Sequence, residues 1–343
     1  MIPALLTLVA LAVLATATLA ALSRTPAGWA TPGTGLLIRA AKALKKLETG
    51  TLDLEKRRAL VRSNIALVDG RPNPKDGIKA QDLTLSLGAR EVTARLYLPA
   101  SGLPRAFILY YHGGGFAMGC VQANDRLVRD LCCAADAGGL SLEYRLAPEH
   151  PFPAAHDDAL DAYAWVVEAM AAGRLPKAPV VLCGDSAGGN LAASTCIAAR
   201  DRGLPIPAAQ ILLYPVTDFS RMDTPSYEAY ADGYMLTKAE MEWFRDAYMP
   251  DLKAWSNPRV SILLTEDLRR LPPALIMTAG MDPLRDEGEA YAKRLAQAGV
   301  RVEARRYVGR VHGFAQMGRF VRVARRVPAI AAAFIRSCLS GSA

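Results

Sequence analysis

Histidine is scarce in this chain: only His112, His150, His156 and His312 occur in 343 residues. Any chemistry that needs an imidazole therefore has few places to find one. Cysteine is present but unpatterned. Cys120, Cys132, Cys133, Cys183, Cys196 and Cys338 form no Cys-x-x-Cys, which excludes a zinc ribbon and argues against a disulfide framework. Most read as reduced, buried small side chains, and no metal site is expected. Acid is nearly missing from the C-terminal stretch. From Arg301 onward nine arginines face Glu303 alone, while the rest of the chain balances 32 basic against 32 acidic residues. That charge reads as a solvated face or as a surface leaning on anionic lipid. No nucleic-acid-binding motif accompanies it, so no nucleic acid is expected as partner. A hydrophobic content of 51% excludes a disordered chain and supports a large core.

Charge is also absent from Ile2 to Leu22, a run long enough to span a bilayer. No Lys or Arg precedes it, unlike the basic start of a secretory signal. Arg24, Arg39, Lys42, Lys45 and Lys46 follow it, which by the positive-inside rule would hold the body of the protein in the cytoplasm. Residues 1–22 are thus expected to be a membrane anchor, with a signal segment cleaved on export as the alternative. Residues 23–35 are rich in Pro, Gly and Thr and read as a linker. Residues 36–75 are expected to hold two helices, the first on the spacing of Leu37, Ala40, Ala41, Leu44 and Leu47, the second capped by Asp53.

From Asp82 the period changes to two. Leu83, Leu85 and Leu87, then Val92, Ala94, Leu96 and Leu98, alternate with polar residues on either side of Gly88-Ala89, as in a β-hairpin. Apolar runs at 106–111, 140–144, 180–183, 210–214, 274–279 and 302–307 predict further strands. Helical patterns at 124–137, 154–171, 186–200 and 286–298 separate most of the later ones. This alternation predicts an α/β fold, a mostly parallel twisted sheet with helices on both faces. Residues 76–343 would form it, interrupted at about 218–271 by an aromatic-rich insertion read as a lid or acyl pocket.

Gly184-Asp185-Ser186-Ala187-Gly188 lies between a predicted strand and a predicted helix, the context of a nucleophile elbow. Serine alone is a poor nucleophile and needs a base, an acid to orient that base, and donors for a developing oxyanion. Where such an elbow occurs, acid and histidine follow the serine in that order. Only His312 lies beyond Ser186, in a loop after the last strand. Asp282, just past the strand at 274–279, is the acid that would orient it. Asp286 is the runner-up acid, and reads better as the cap of the next helix. The donors are expected from the N–H groups of Gly113 and Gly114, in the glycine loop following the strand at 106–111, and of Ala187.

Together, His112-Gly113-Gly114-Gly115-Phe116, Tyr144-Arg145-Leu146-Ala147-Pro148-Glu149-His150-Pro151, Gly184-Asp185-Ser186-Ala187-Gly188-Gly189-Asn190, Asp282-Pro283-Leu284-Arg285-Asp286 and His312-Gly313-Phe314 resemble the hormone-sensitive-lipase-like group of α/β-hydrolases, bacterial esterase family IV. The resemblance covers about residues 75–335. It implies an α/β-hydrolase fold with a helical cap and a serine carboxylesterase for short or medium acyl chains. It also implies a small-molecule ester as partner, and no metal or organic cofactor. Amides, lactones and acetylated small molecules are alternative substrates. A receptor-like ligand-binding protein on the same fold is the alternative of a different class. Glu149 and His150, in a proline-rich loop, read as scaffold.

Overall fold

The computed structural model describes residues 16–26, 28–47, 53–100 and 102–340. Its centre is an eight-stranded sheet built from β1 (Ile78–Leu87), β2 (Arg90–Pro99), β3 (Ala106–Tyr111), β4 (Ala137–Leu142), β5 (Val180–Asp185), β6 (Ala209–Leu213), β7 (Ala274–Met281) and β8 (Val302–Val311). The order across the sheet is β8-β7-β6-β5-β3-β4-β2-β1. β1 and β2 form the antiparallel hairpin at one edge, with Leu83 opposite Ala94 and Leu85 opposite Val92. β2 meets β4 antiparallel; all remaining pairs are parallel. The central strands are mostly apolar because they are buried on both faces. Every residue of β3 and β5 is buried.

Alternate residues of each strand feed opposite layers. Leu109, Tyr111, Leu182 and Ile276 pack with α4 (Ala154–Ala171), α5 (Ala187–Asp201) and α8 (Arg285–Gln297). Ile108, Tyr110, Val181, Cys183 and Leu275 pack with α1 (Pro32–Leu47), α3 (Val121–Ala135) and α9 (Val327–Leu339). Five cysteines are buried, Cys133 is exposed, and all six are free.

Several boundaries differ from the sequence pattern. The expected linker ends early, because α1 begins at Pro32, where proline at the first helical turn loses no hydrogen bond. The helix expected at 124–137 runs from Val121 to Ala135. Asp136 ends it in the left-handed conformation at φ 50°, and β4 starts at once. α2 (Leu54–Asp69) carries the expected Asp53 cap, whose carboxylate accepts from Lys56 N–H. Asp286 is not the cap of α8, a place taken by Leu284. Its carboxylate accepts instead from Ser226 N–H at 2.8 Å, serving the first turn of α6 (Pro225–Ala229). Of the expected anchor, residues 1–15 lie outside the described residues and 16–23 are helical. Among the described residues no helix is long and apolar enough to cross a membrane.

The insertion between β6 and β7 holds α6, α7 (Lys238–Tyr248) and two short 3-10 turns. A capping box between Thr237 and Glu240 opens α7. At its other end Tyr248 enters a buried polar relay. Asn190 Nδ2 donates to Val216 O (3.0 Å) and Val260 O (2.6 Å), so its Oδ1 is the acceptor facing His156 Nε2 at 3.0 Å. His156 therefore carries its proton on Nε2, and Nδ1 accepts from the Tyr248 hydroxyl at 2.7 Å, leaving each atom satisfied with a neutral imidazole. Burial, reinforced by the Arg259 charge, lowers its pKa to about 3. The relay joins the insertion to α5, the helix that leaves Ser186.

The imidazole is neutral when folded and protonates ordinarily when unfolded. Acid thus favours the unfolded chain between the ordinary value of 6.5 and about 3. The stability advantage of the parent chain over His156→Gln, read from guanidinium denaturation, is expected to shrink as pH falls through that window, by at most about 1.4 kcal/mol per pH unit. A difference that does not change with pH would contradict a neutral His156.

Candidate active site

Ser186 stands at the turn between β5 and α5 with φ 55° and ψ −119°, a conformation costly for a residue with a Cβ. The turn closes because its flanking glycines are bare. A Cβ on Gly184 would lie 2.2 Å from Gly188 O, and one on Gly188 would lie 1.9 Å from Tyr111 O. Neighbouring chain fixes the strained residue. Ser186 N–H donates to Leu213 O at 2.8 Å, and its carbonyl accepts from Asn190 N–H at 3.1 Å and Val216 N–H at 3.3 Å.

The structure brings the three expected side chains together across 126 residues of chain. His312 Nε2 lies 2.9 Å from Ser186 Oγ. His312 Nδ1 lies 2.8 Å from Asp282 Oδ2. The second Asp282 oxygen accepts from Leu284 N–H at 3.0 Å. A carboxylate only accepts, so Nδ1 carries the proton and Nε2 is free to take one from the serine hydroxyl. Asp282 is fully buried and Ser186 nearly so, whereas the His312 side chain stays partly open. The Tyr214 ring meets the imidazole edge-on at 4.9 Å.

The glycine loop departs from expectation at one position. Gly113 N–H is committed to Asp185 Oδ1 at 2.9 Å, so it is not free to receive an oxyanion. The same carboxylate oxygen accepts from Tyr110 Oη at 2.6 Å. Burial raises the Asp185 pKa above the usual carboxylate range, and the Tyr110 and Gly113 hydrogen bonds oppose that rise. Asp185 is thus the fastener between elbow and glycine loop. Gly114 and Gly115 N–H have no acceptor among the described residues. Ala187 N–H, in the first turn of α5, lacks an intrahelical partner.

Of two further features, the first had no signal in the sequence and the second belongs to the aromatic-rich insertion. Arg58 of α2 reaches under both loops. Its Nε donates to Ala117 O (2.9 Å) and Nη2 to Ala147 O (2.9 Å), while both terminal nitrogens grip Glu149 at 2.8 Å. That ion pair holds the Glu149 carboxyl below its ordinary range, which agrees with a scaffolding role. From the insertion, Phe244 lies against Gly115, where a Cβ would sit 2.2 Å from the ring. Phe116 stacks on Tyr248 at 4.3 Å. Among the described residues no group of three or more His, Cys, Asp and Glu could hold a metal ion. A cavity of about 580 Å³ lined by Tyr163, Val167, Met170, Lys177 and Ile206 opens near Val180, at the end of β5 remote from Ser186. It holds no nucleophile–base pair and is not the site.

The family model for the alpha/beta hydrolase fold matches residues 108–316. The chain is 44% identical over 256 residues to the carboxylic ester hydrolase LipN of Mycobacterium tuberculosis, covering 73% of this chain and 68% of that protein. It is 37% identical over 295 residues to an ethyl acetate hydrolase of Pseudomonas putida, covering 84% and 92%. Among solved structures, an ester hydrolase from the metagenome of Lake Arreo superposes with a TM-score of 0.84 at 37% identity, covering 91% of this chain and 99% of that one. An esterase of the archaeon Pyrobaculum calidifontis gives 0.80 at 36%, covering 88% and 97%.

Asp185→Ala would leave Gly113 N–H and Tyr110 O–H buried without their acceptor. It is expected to cost about 2–5 kcal/mol, read as a lower denaturation midpoint. Asp185→Asn retains an acceptor oxygen and is expected to cost less. Equal losses in the two variants would contradict the fastening role.

Proposed function

This chain belongs to the α/β-hydrolase family, in its hormone-sensitive-lipase-like branch, and is a carboxylic ester hydrolase; we propose that it cleaves esters of short and medium acyl chains through an acyl-enzyme on Ser186. The observation that carries this reading is the continuous hydrogen-bond line from Asp282 through His312 to Ser186. Ser186 Oγ attacks the ester carbonyl carbon while His312 Nε2 takes the hydroxyl proton. Asp282 holds the Nδ1–H tautomer and stabilises the imidazolium. The carbonyl oxygen becomes an oxyanion, received by the N–H groups of Gly114 and Ala187 with Gly115 beside them, each such donor lowering the barrier by about 3–4 kcal/mol. Collapse breaks the bond to the alcohol oxygen, which leaves with the proton from His312. A water deprotonated by the same nitrogen then attacks the acyl carbon and returns Ser186 to its free form.

The Phe244 ring pressed against Gly115 supports the short acyl preference, since it narrows the space beside the donor loop. A receptor-like role has no observation in its favour: all three groups are present and within hydrogen-bond reach. Residues 2–22, with the basic residues that follow, extend the reading to location. They support attachment to a membrane with the catalytic residues in the cytoplasm, or export after cleavage. Fractionation of full-length protein is expected to find it with membranes; recovery of a soluble chain lacking the segment would favour export.

With p-nitrophenyl esters, Ser186→Ala is expected to lower kcat by roughly 10⁴–10⁶-fold and Asp282→Asn by about 10⁴-fold. Adding His312→Ala to Ser186→Ala is expected to cost little more, because the residues act as a unit. In an acyl-length series kcat/KM should fall beyond medium chains, and Phe244→Ala should shift the optimum to longer ones. Substantial turnover by Ser186→Ala would overturn the assignment.

A further inference from the structure

Charge in this molecule is segregated. Residues 1–47 contain five Lys or Arg and residues 304–343 contain eight, with no Asp or Glu in either stretch; the remainder carries 28 basic against 33 acidic residues. The fold packs these two acid-free stretches side by side. Thr31 N–H donates to Gly309 O at 3.2 Å, and Gly33 of α1 abuts the Phe320 carbonyl. Arg39 donates to the carbonyls of Ala21, Leu22 and Arg24, fixing the chain that leads in from the uncharged segment. Beyond Phe320 the surface continues to the end of α2, where Arg319 donates to Leu67 O at 3.3 Å.

The apolar residues of this face are turned outward. Trp29 is 62% exposed, Leu36 45%, Val308 76%, Phe320 39% and the adjoining Leu67 60%. Around them stand the exposed cations Arg24, Lys42, Arg319, Arg322, Arg325 and Arg326. Of the carboxylates at its border, Asp69 and Asp130 are taken by Arg126, and Asp232 adjoins Gly233, which packs on Lys42. An exposed tryptophan and leucines set among arginines and a lysine suit the headgroup layer of a membrane, where aromatic rings bury their apolar body and cations meet lipid phosphate. A nucleic acid would use the cations and leave the apolar side chains in water.

We propose that this face, formed by residues 24–26, 28–42, 308–310 and 319–326, docks on an anionic lipid bilayer. It goes beyond the ester-hydrolase reading and is separable from attachment through residues 2–22. Insertion of an uncharged segment does not discriminate between lipid charges, whereas the face does.

The test mixes full-length protein with vesicles of phosphatidylcholine alone or with phosphatidylglycerol, and reads both sedimentation and hydrolysis of a water-soluble ester. Tighter binding to the anionic vesicles is expected, with a preference that shrinks as salt rises. Each basic residue near such a surface strengthens binding roughly fivefold, so Arg322→Gln with Arg326→Gln should weaken anionic binding roughly 25-fold. Binding to neutral vesicles and ester turnover should not change. Trp29→Ser should weaken binding to anionic vesicles further. Equal binding to both vesicles, or no effect of the double substitution, would overturn the proposal and leave only the apolar segment as an attachment. Binding of duplex DNA with anionic vesicles left unbound would overturn it too. Loss of turnover in the parent chain would count against the catalytic reading and not against this face.

Discussion

A serine held at φ 55° costs of order 1–3 kcal/mol relative to a relaxed backbone, and much of the surrounding structure is arranged to hold it there. β5 delivers the residue from the centre of the sheet, where neither face sees water, and α5 leaves at once, so the reversal occupies a single residue. Leu213 O, Asn190 N–H and Val216 N–H grip its backbone, and two glycines clear the space. The strain projects Oγ toward His312 and leaves the first amide of α5 unpaired at the same corner. Nucleophile and one donor are therefore a single geometric consequence of one turn.

The loops that complete the site are held mainly by carboxylates, most of them buried, with Glu149 at the surface. Asp185 ties the glycine loop to the elbow. Glu149 and Arg58 tie it to α2 and to the loop carrying Ala147. Asp158 grips Arg145 at the start of that same loop. Glu287 accepts from Thr217 and Asp218 N–H where the insertion leaves the sheet, and burial raises its pKa well above the ordinary value. A site meant to admit ester and water cannot be rigidified by apolar packing alone. Directional hydrogen bonds beneath the loops fix the donors while leaving the space above them open.

The sheet, its two helical layers and the Ser186–His312–Asp282 set were legible in the sequence because each rests on a local signal: a period, a motif, or chain order acting on very few histidines. What was not legible depends on pairs distant in sequence. Gly113 and Gly114 look equivalent in a run of glycines; only the position of Asp185 across the turn commits one amide and spares the other. Arg58 lies in a helix with several arginines and carries no local mark of its 91-residue reach to Glu149. His156 looked like any histidine until Asn190 and Tyr248 were placed on either side of it. Asp286 shows the reverse failure: its carboxylate does serve helix amides, though those of α6 rather than of its own helix.

This geometry makes one serine, Ser186, nucleophilic and no other. Covalent capture with a fluorophosphonate, followed by peptide mapping, tests it most directly. A single adduct is expected, on Ser186, that forms far more slowly in His312→Ala. An adduct on a different serine, or labelling of Ser186 at an unchanged rate without His312, would contradict it.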